Sequence, residues 1–249
     1  MKYPDLVLVT RTLPAGNVLK DRLLEAGWPA CDACPLRLAG PENPEQLRAA
    51  FAALESPDRI VLTSVEGLRR AVDLLGVEAL STCPVIVPGP GSRAAGLALG
   101  LRRIHCPTSA GNSEAMLALP QLSDVRGLQI LIMAAAGGRQ LLASELRARG
   151  AQVSILHVYR RLSRPLPEET LSRLARAQNP VTMLASAGAL QGLQHQLPDL
   201  IWQRLLAGVM VAPSPRVADL ATELGCPRVL LADGADDEAM ARALEACRN

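Results

Sequence analysis

Hydroxyls and guanidinium groups, rather than paired carboxylates or metal ligands, are the side chains whose types and spacing could do chemistry in this chain. Thr63-Ser64, Ser92, Ser186 and Ser214 are each read as standing just before a helix, at the end of a β-rich run. A single serine there is an N-cap that satisfies orphan backbone N–H groups. Several such turns aimed into one cleft describe a polyanion site, because helix N-termini offer unpaired N–H groups and a partial positive charge. Gly137-Gly138-Arg139, following the run Gln129–Ala134, adds a further turn of this kind. Of the 26 basic residues only Lys2 and Lys20 are lysines, so the positive charge sits on rigid forks that suit carboxylates.

Other chemistries fit poorly. Cys31-Asp-Ala-Cys34 is a CxxC, but His105, His157 and His195 are isolated and no second cysteine pair follows, so neither a zinc site nor a thioredoxin motif is indicated. Gly89-Pro-Gly91-Ser92-Arg93-Ala-Ala-Gly96 invites a dinucleotide reading, yet its third glycine comes two residues late for GxGxxG. GxxxxGK[ST] and GxSxG do not occur. A net charge of +2, from 26 basic and 24 acidic residues, is too balanced for gripping a nucleic-acid backbone. Tyr3, Trp28, Phe51, Tyr159 and Trp202 are too few for a base-stacking platform. No apolar run reaches the ~18 residues of a membrane span, and the N-terminus lacks the pattern of a signal peptide. The expectation is a cytoplasmic protein with no nucleic-acid or membrane partner.

The elements that must position these hydroxyls alternate between strand and helix. Strands are expected at Leu6–Thr10, Arg59–Thr63, Val85–Pro88, Arg103–Cys106, Gln129–Ala134, Val153–Tyr159, Val181–Ala185, Val209–Ala212 and Val229–Ala232. Helical spacing fills most of the gaps, as in Ala15–Ala26, Gln140–Arg149 and Val217–Leu224, each stopped by a glycine. Such alternation predicts parallel sheets covered on both faces. An internal repeat favours two sheets over one: Ile60-Val-Leu-Thr-Ser64 resembles Thr182-Met-Leu-Ala-Ser186, and the Pro/Gly/Ser turns at 89–92 and 213–216 follow in the same order. Pro29–Pro44 and Val153–Arg164 read as two extended passes of a linker. The expected organisation is a discontinuous domain of residues 1–37 and 162–249, with residues 38–161 inserted. Arg160 and Arg161 should point to opposite faces of their strand.

The ordered motifs resemble the uroporphyrinogen-III synthase family. Val7-Leu-Val-Thr10-Arg11 is similar to its opening strand, Thr63-Ser64 to its first Thr-Ser strand end, and Gly89-Pro-Gly-Ser92 to its Gly-Pro-x-Thr turn. Asn112-Ser113-Glu114-Ala-Met-Leu, the stretch from Gly138-Arg139 to Gly150-Ala-x-Val, and Val158-Tyr159-Arg160-Arg161 are similar in the same order. Two places depart from the pattern: Ala134-Ala135-Ala136 stands where the family often has Arg-Gly, and Ser214-Pro215-Arg216-Val217 replaces a Gly-Pro-Thr-Thr turn.

The resemblance implies two Rossmann- or flavodoxin-like α/β domains, joined by a two-stranded linker, with a cleft between them. It implies closure of hydroxymethylbilane to uroporphyrinogen III, with inversion of ring D and loss of water, by a monomer that needs no cofactor and no metal. The upstream enzyme that produces hydroxymethylbilane is the expected protein partner. Tyr159 is the implied catalytic residue, a weak acid near the departing hydroxyl. Thr10, Arg11, Thr63, Ser64, Ser92, Gly138, Arg139, Ser186, Ser214 and Arg216 are the implied substrate-binding residues. The alternatives are a tetrapyrrole- or anion-binding protein that has lost activity, and a nucleotide-dependent α/β enzyme.

Overall fold

A computed structural model of the chain describes residues 3–108, 112–138 and 140–248. Its strands are β1 (Leu6–Val9), β2 (Ala30–Asp32), β3 (Leu36–Ala39), β4 (Arg59–Leu62), β5 (Val85–Ile86), β6 (Ile104–His105), β7 (Gln129–Ala135), β8 (Gln152–Ser163), β9 (Pro180–Met183), β10 (Val209–Ala212) and β11 (Val229–Leu231). They form two sheets, in the orders β2-β1-β9-β10-β11 and β3-β8-β7-β4-β5-β6. The chain divides into two compact units, one of Met1–Arg37 with Leu162–Asn249 and the other of Leu38–Arg161.

In the first unit, β1, β2, β9, β10 and β11 pair in parallel. In the second, β4, β5, β6, β7 and β8 do the same. Position by position, β2-β1-β9-β10-β11 corresponds to β8-β7-β4-β5-β6. The first order is the flavodoxin-like one and the second the first five strands of a Rossmann sheet. The chain leaves β1 and β4 in one direction and returns on the other side, at β9 and β7. The strand ends β1/β9 and β4/β7 are therefore switch points, where diverging loops leave a crevice outside the carboxyl edge.

Burial explains why the strands read as continuous apolar runs. Ile60, Leu62, Leu131 and Met133 pack on one face of the second sheet with Leu68 and Ala71 of the helix Val65–Leu75. Val61, Ile130 and Ile132 pack on the other with Met116, Leu142 and Leu146. The first sheet is covered in the same way, with Leu6, Leu8 and Met210 on one face and Val7, Val9 and Val211 on the other.

Two stretches are extended, as the sequence reading expects, and more regular than it specifies. Pro29–Pro44, expected as an extended linker pass, holds β2 and β3, because its prolines flank the strands instead of interrupting them. Val153–Arg164 belongs to one long strand, β8, and the boundary between the units falls inside β3 and β8, which are neighbours in the second sheet. In the first unit this crossing is anchored by Arg164. Its guanidinium donates to both Asp32 carboxylate oxygens at 3.1 and 2.6 Å and to the Cys34 carbonyl at 3.1 Å. The Asp32 carboxylate in turn holds Arg164 above its ordinary pKa.

Candidate active site

At the carboxyl end of β4 the backbone of Ser64 is extended, with φ −166° and ψ 162°, and its hydroxyl caps the helix Val65–Leu75 by accepting from the Gly67 N–H at 2.9 Å. The same oxygen lies 3.1 Å from the Tyr159 Oη. Arg161 Nη2 donates to that Oη at 3.2 Å. Gly67 leaves room for the pair, since a Cβ there would stand 3.2 Å from Ser64 Oγ and 3.6 Å from Tyr159 Cε1.

A β-bulge brings Tyr159 to this face. Along β8 the pairing with β7 is regular as far as Ala134 with His157, then skips Val158 so that Ala135 pairs with Tyr159. Val153 and Ile155 pack on the Leu142 side of the sheet, whereas Val158 and Tyr159 both pack on the Leu68 side. A bulge re-aims every following side chain, so Tyr159 and Arg161 share a face. Arg160 turns the other way, donating to the Gly40 carbonyl at 3.2 Å and facing Glu42. The Tyr159 side chain is 2% exposed: the ring belongs to the core and only its hydroxyl reaches the polar turn.

The other expected residues of this unit fall in different places. Thr63 is half-buried, and its N–H donates to the Met133 carbonyl at 3.3 Å. With Gly138 and His157 it lines a small pocket at the end of β7. The Gly138 N–H is spent on the Ala135 carbonyl at 3.2 Å, in a turn that Gly137 enters at φ 69°. Arg139 lies outside the described residues. Ser92 does not precede a helix: it is the third residue of Pro90–Ala98 and is buried, because Pro90 suits the first helical position and makes Gly89 the cap. This glycine turn follows β5, not the first strand of the sheet, where a dinucleotide fingerprint would sit.

In the first unit Ser186 repeats the Ser64 turn. It has φ −171° and ψ 165°, and its hydroxyl accepts from the Ala189 N–H at 3.2 Å. Ser214 caps Pro215–Glu223 through its carbonyl, without a side-chain capping bond. Arg216 is exposed and lines an open depression with Ala187, Gln191, Asp219 and Glu223. Thr10 and Arg11 are engaged internally. The Thr10 hydroxyl, fully buried, donates to the Met183 carbonyl at 3.0 Å and accepts from the Ala185 N–H at 2.9 Å. Arg11 is paired with Asp237 at 2.9 Å. Burial raises the thiol pKa values of Cys31 and Cys34, which disfavours the thiolate that redox chemistry would need.

Each unit thus presents capped helix starts and hydroxyls at the carboxyl edge of a parallel sheet. A family model described as uroporphyrinogen-III synthase HemD matches residues 17–242. The chain belongs to that family. The uroporphyrinogen-III synthase of Escherichia coli (strain K12) is 32% identical to it over 247 residues, covering 96% of this chain and 99% of that protein. The Salmonella typhimurium enzyme of the same name is 31% identical, with the same shares covered. Among solved structures, a mutant uroporphyrinogen III synthase from the extremely thermophilic bacterium Thermus thermophilus superposes with a TM-score of 0.64 at 20% identity, over 98% of both chains. The Helicobacter pylori 26695 synthetase gives 0.64 at 12% identity, over 98% of this chain and 99% of that one. These two likenesses establish the fold: both are uroporphyrinogen III synthases built, like this member of the family, as two α/β units.

For a uroporphyrinogen-III synthase family member, the sequence leaves open which of Arg160 and Arg161 shares the face of Tyr159, and it does not single out Gly67. Arg161 sits on the phenol; the signal was its two-residue spacing from Tyr159, which puts both on one face of a regular strand. Gly67 has no signal of its own, since only the three-dimensional approach of Tyr159 makes its missing side chain matter.

Proposed function

We propose that this chain closes hydroxymethylbilane to uroporphyrinogen III, inverting ring D and releasing water, as a cyclising hydro-lyase of tetrapyrrole and heme biosynthesis. Family membership along nearly the whole chain supports the reaction. The observation that carries the site is the Tyr159 hydroxyl held between Ser64 and Arg161 at the β4/β7 switch point. The linear tetrapyrrole has four acetate and four propionate arms, and capped helix starts with neighbouring arginines are suited to such carboxylates. Under this reading Thr63, Ser64, Gly138, Ser186, Ser214 and Arg216 are substrate-binding residues, and the sequence assigns Arg139 the same role. Thr10, Ser92 and Arg11 hold the edges in shape.

The chemistry asks for conformational control, because unassisted closure of the bilane gives the type I isomer. Fixing ring D so that its substituted carbon attacks is an orientation effect. A proton delivered to the departing hydroxyl accelerates ionisation to the azafulvene, and Tyr159 is the source assigned to it. We further propose that the two compact units are the domains, that the chain works as a cytoplasmic monomer, and that it takes its substrate from the enzyme producing hydroxymethylbilane. Six unpaired cysteines support a reducing compartment.

The test is to incubate the protein with enzymatically generated hydroxymethylbilane and separate the product isomers. Type III product is expected. Type I product alone, with the tetrapyrrole still bound, would make the chain a binding protein that has lost activity.

A further inference from the structure

We propose that the proton given to the departing hydroxyl leaves from Ser64, and that Tyr159 and Arg161 form the relay behind it. This rests on the catalytic reading above and deepens it. Tyr159 is 2% exposed, so its phenol offers no open face to a substrate, whereas Ser64 is half-buried at the carboxyl edge and Arg161 is exposed.

Hydrogen-bond accounting fixes the direction of the relay. Arg161 can only donate, so the Tyr159 Oη accepts from it. Ser64 Oγ accepts from the Gly67 N–H. If Ser64 also donated to the phenol, the phenolic proton would be left without a partner among the described residues, in a buried side chain, at a cost of about 1–3 kcal/mol. If the phenol donates to Ser64 instead, the buried phenol has a partner for its proton and keeps Arg161 as its donor. The Ser64 proton then points away from the network, out of the turn. Ser64 is thus the terminal donor and Tyr159 the reservoir.

The step balances. The Ser64 O–H protonates the departing hydroxyl, whose C–O bond breaks with both electrons going to oxygen, so water and the azafulvenium cation are formed. Ser64 Oγ takes the proton of Tyr159, and the resulting phenolate accepts from Arg161. Attack by the substituted carbon of ring D, which carries no proton, gives a spiro intermediate. The older bond from that carbon to its bridging methylene then breaks with its electron pair returning to ring D. The methylene joins the unsubstituted α-carbon of ring D, which loses its proton as the pyrrole regains aromaticity. That proton returns through Ser64 to the phenolate.

Arg161 is a positioning residue for this relay. Arg160, Arg164 and Arg11 face Glu42, Asp32 and Asp237, but among the described residues the Arg161 guanidinium meets no carboxylate. Its charge is left for the phenolate.

The experiment is single-turnover kinetics on hydroxymethylbilane with isomer separation, a proton inventory in mixed H2O and D2O, and thermal melting of each variant. Ser64→Asn keeps a good capping oxygen, so its fold should survive without the hydroxyl. Ser64→Asn and Tyr159→Phe should each lower kcat by ~10²-fold, the usual weight of a general acid, with KM little changed. The double variant should be no slower than the slower single one, because both break one chain. Ser64→Thr should recover part of the rate, and the wild-type inventory should curve, as two moving protons require, where that of Ser64→Asn is linear. Arg161→Gln should lower kcat by about tenfold with partial rescue by Arg161→Lys. Type III product with multiplicative losses, or with a near-normal rate in folded Ser64→Asn, overturns the relay alone. Absence of type III product from the unsubstituted protein overturns the catalytic reading and the relay with it.

Discussion

The turns at Ser64 and Ser186 are built alike and equipped differently. Each serine ends a central strand in extended backbone, and each caps the following helix through its hydroxyl. Behind Ser64 stands a phenol on a bulged strand, with an arginine on its far side. Behind Ser186 the neighbouring chain supplies an aliphatic residue: a Cβ at Gly188 would lie 3.8 Å from Leu36 Cδ1. The arginines diverge in the same way, since Arg164 of the first unit is neutralised by Asp32 while Arg161 of the second leans on a phenol. One turn type can therefore serve as a binding edge or as a proton source, and the strand beside it decides which.

The sharpest way to break this comparison is to remove the phenol. Tyr159→Phe keeps the buried ring and should lower kcat by ~10²-fold or more with KM nearly unchanged, the isomer ratio drifting toward type I as spontaneous closure competes. Ser186→Ala, made alongside, should move KM by a few-fold and leave kcat alone, because neighbouring N–H groups and water replace one lost hydroxyl. Equal losses of kcat in the two variants would show that the turns share a role.

A second test concerns the paired arginine. Asp32→Ala leaves Arg164 half-buried without its carboxylate, and should destabilise the protein by about 2–3 kcal/mol, read from denaturant midpoints. Arg161→Gln removes no such partner and should cost well under 1 kcal/mol. A large stability loss at Arg161 would mean that its charge is structural after all.

The third separates space from chemistry. Gly67→Ala would press a methyl to 3.2 Å from Ser64 Oγ, so the Ser64–Tyr159 contact must shift and kcat should fall several-fold in a folded protein. Gly188→Ala meets only ordinary contacts at 3.8 Å, and alanine is the better helix former by up to ~1 kcal/mol, so it should be neutral to stabilising with normal turnover. Thermal melting and kinetics on the two variants give both answers.

How much of this was legible in the sequence depended on which interaction made each feature. The central strands announced themselves because burial on both faces leaves an unbroken apolar run, as in Ile60-Val61-Leu62. The repeat likewise announced Ser64 and Ser186, since both ends of the resemblance are local. β2 and β3 stayed hidden among prolines, because what makes them strands is pairing with distant chain. Ser92 was misplaced by three residues, its cap position belonging to a glycine that no hydroxyl marks. The bulge at Val158 was the least legible feature. Strict alternation puts Tyr159 with Ile155 and His157, on the face away from Ser64, and only the register with β7 reverses it.

The smallest expected effect tests whether the first unit spends its charges on structure. Asp236 caps the helix Asp237–Glu245, accepting from the Ala239 N–H at 2.8 Å, and this bond holds its carboxyl below the usual carboxylate range. Arg11 docks on the same helix start through Asp237 and the Ala235 carbonyl. A carboxyl whose folded pKa is depressed contributes stability above its unfolded value, about 3.9, and loses that contribution as pH falls through the folded value. Because Asp236 is almost fully solvated, the effect should be confined to local opening of this helix. Amide exchange at residues 239–245 should accelerate as pH drops below about 4, relative to the intrinsic rate, while the helix Val65–Leu75 beside Ser64 keeps its protection. Asp236→Asn retains the capping oxygen but has no proton to gain, so it should flatten that pH dependence. If both helices loosen together in acid, or the asparagine variant loosens as the original does, the charges at this edge are not what holds it, and the contrast between the two units reduces to the phenol alone.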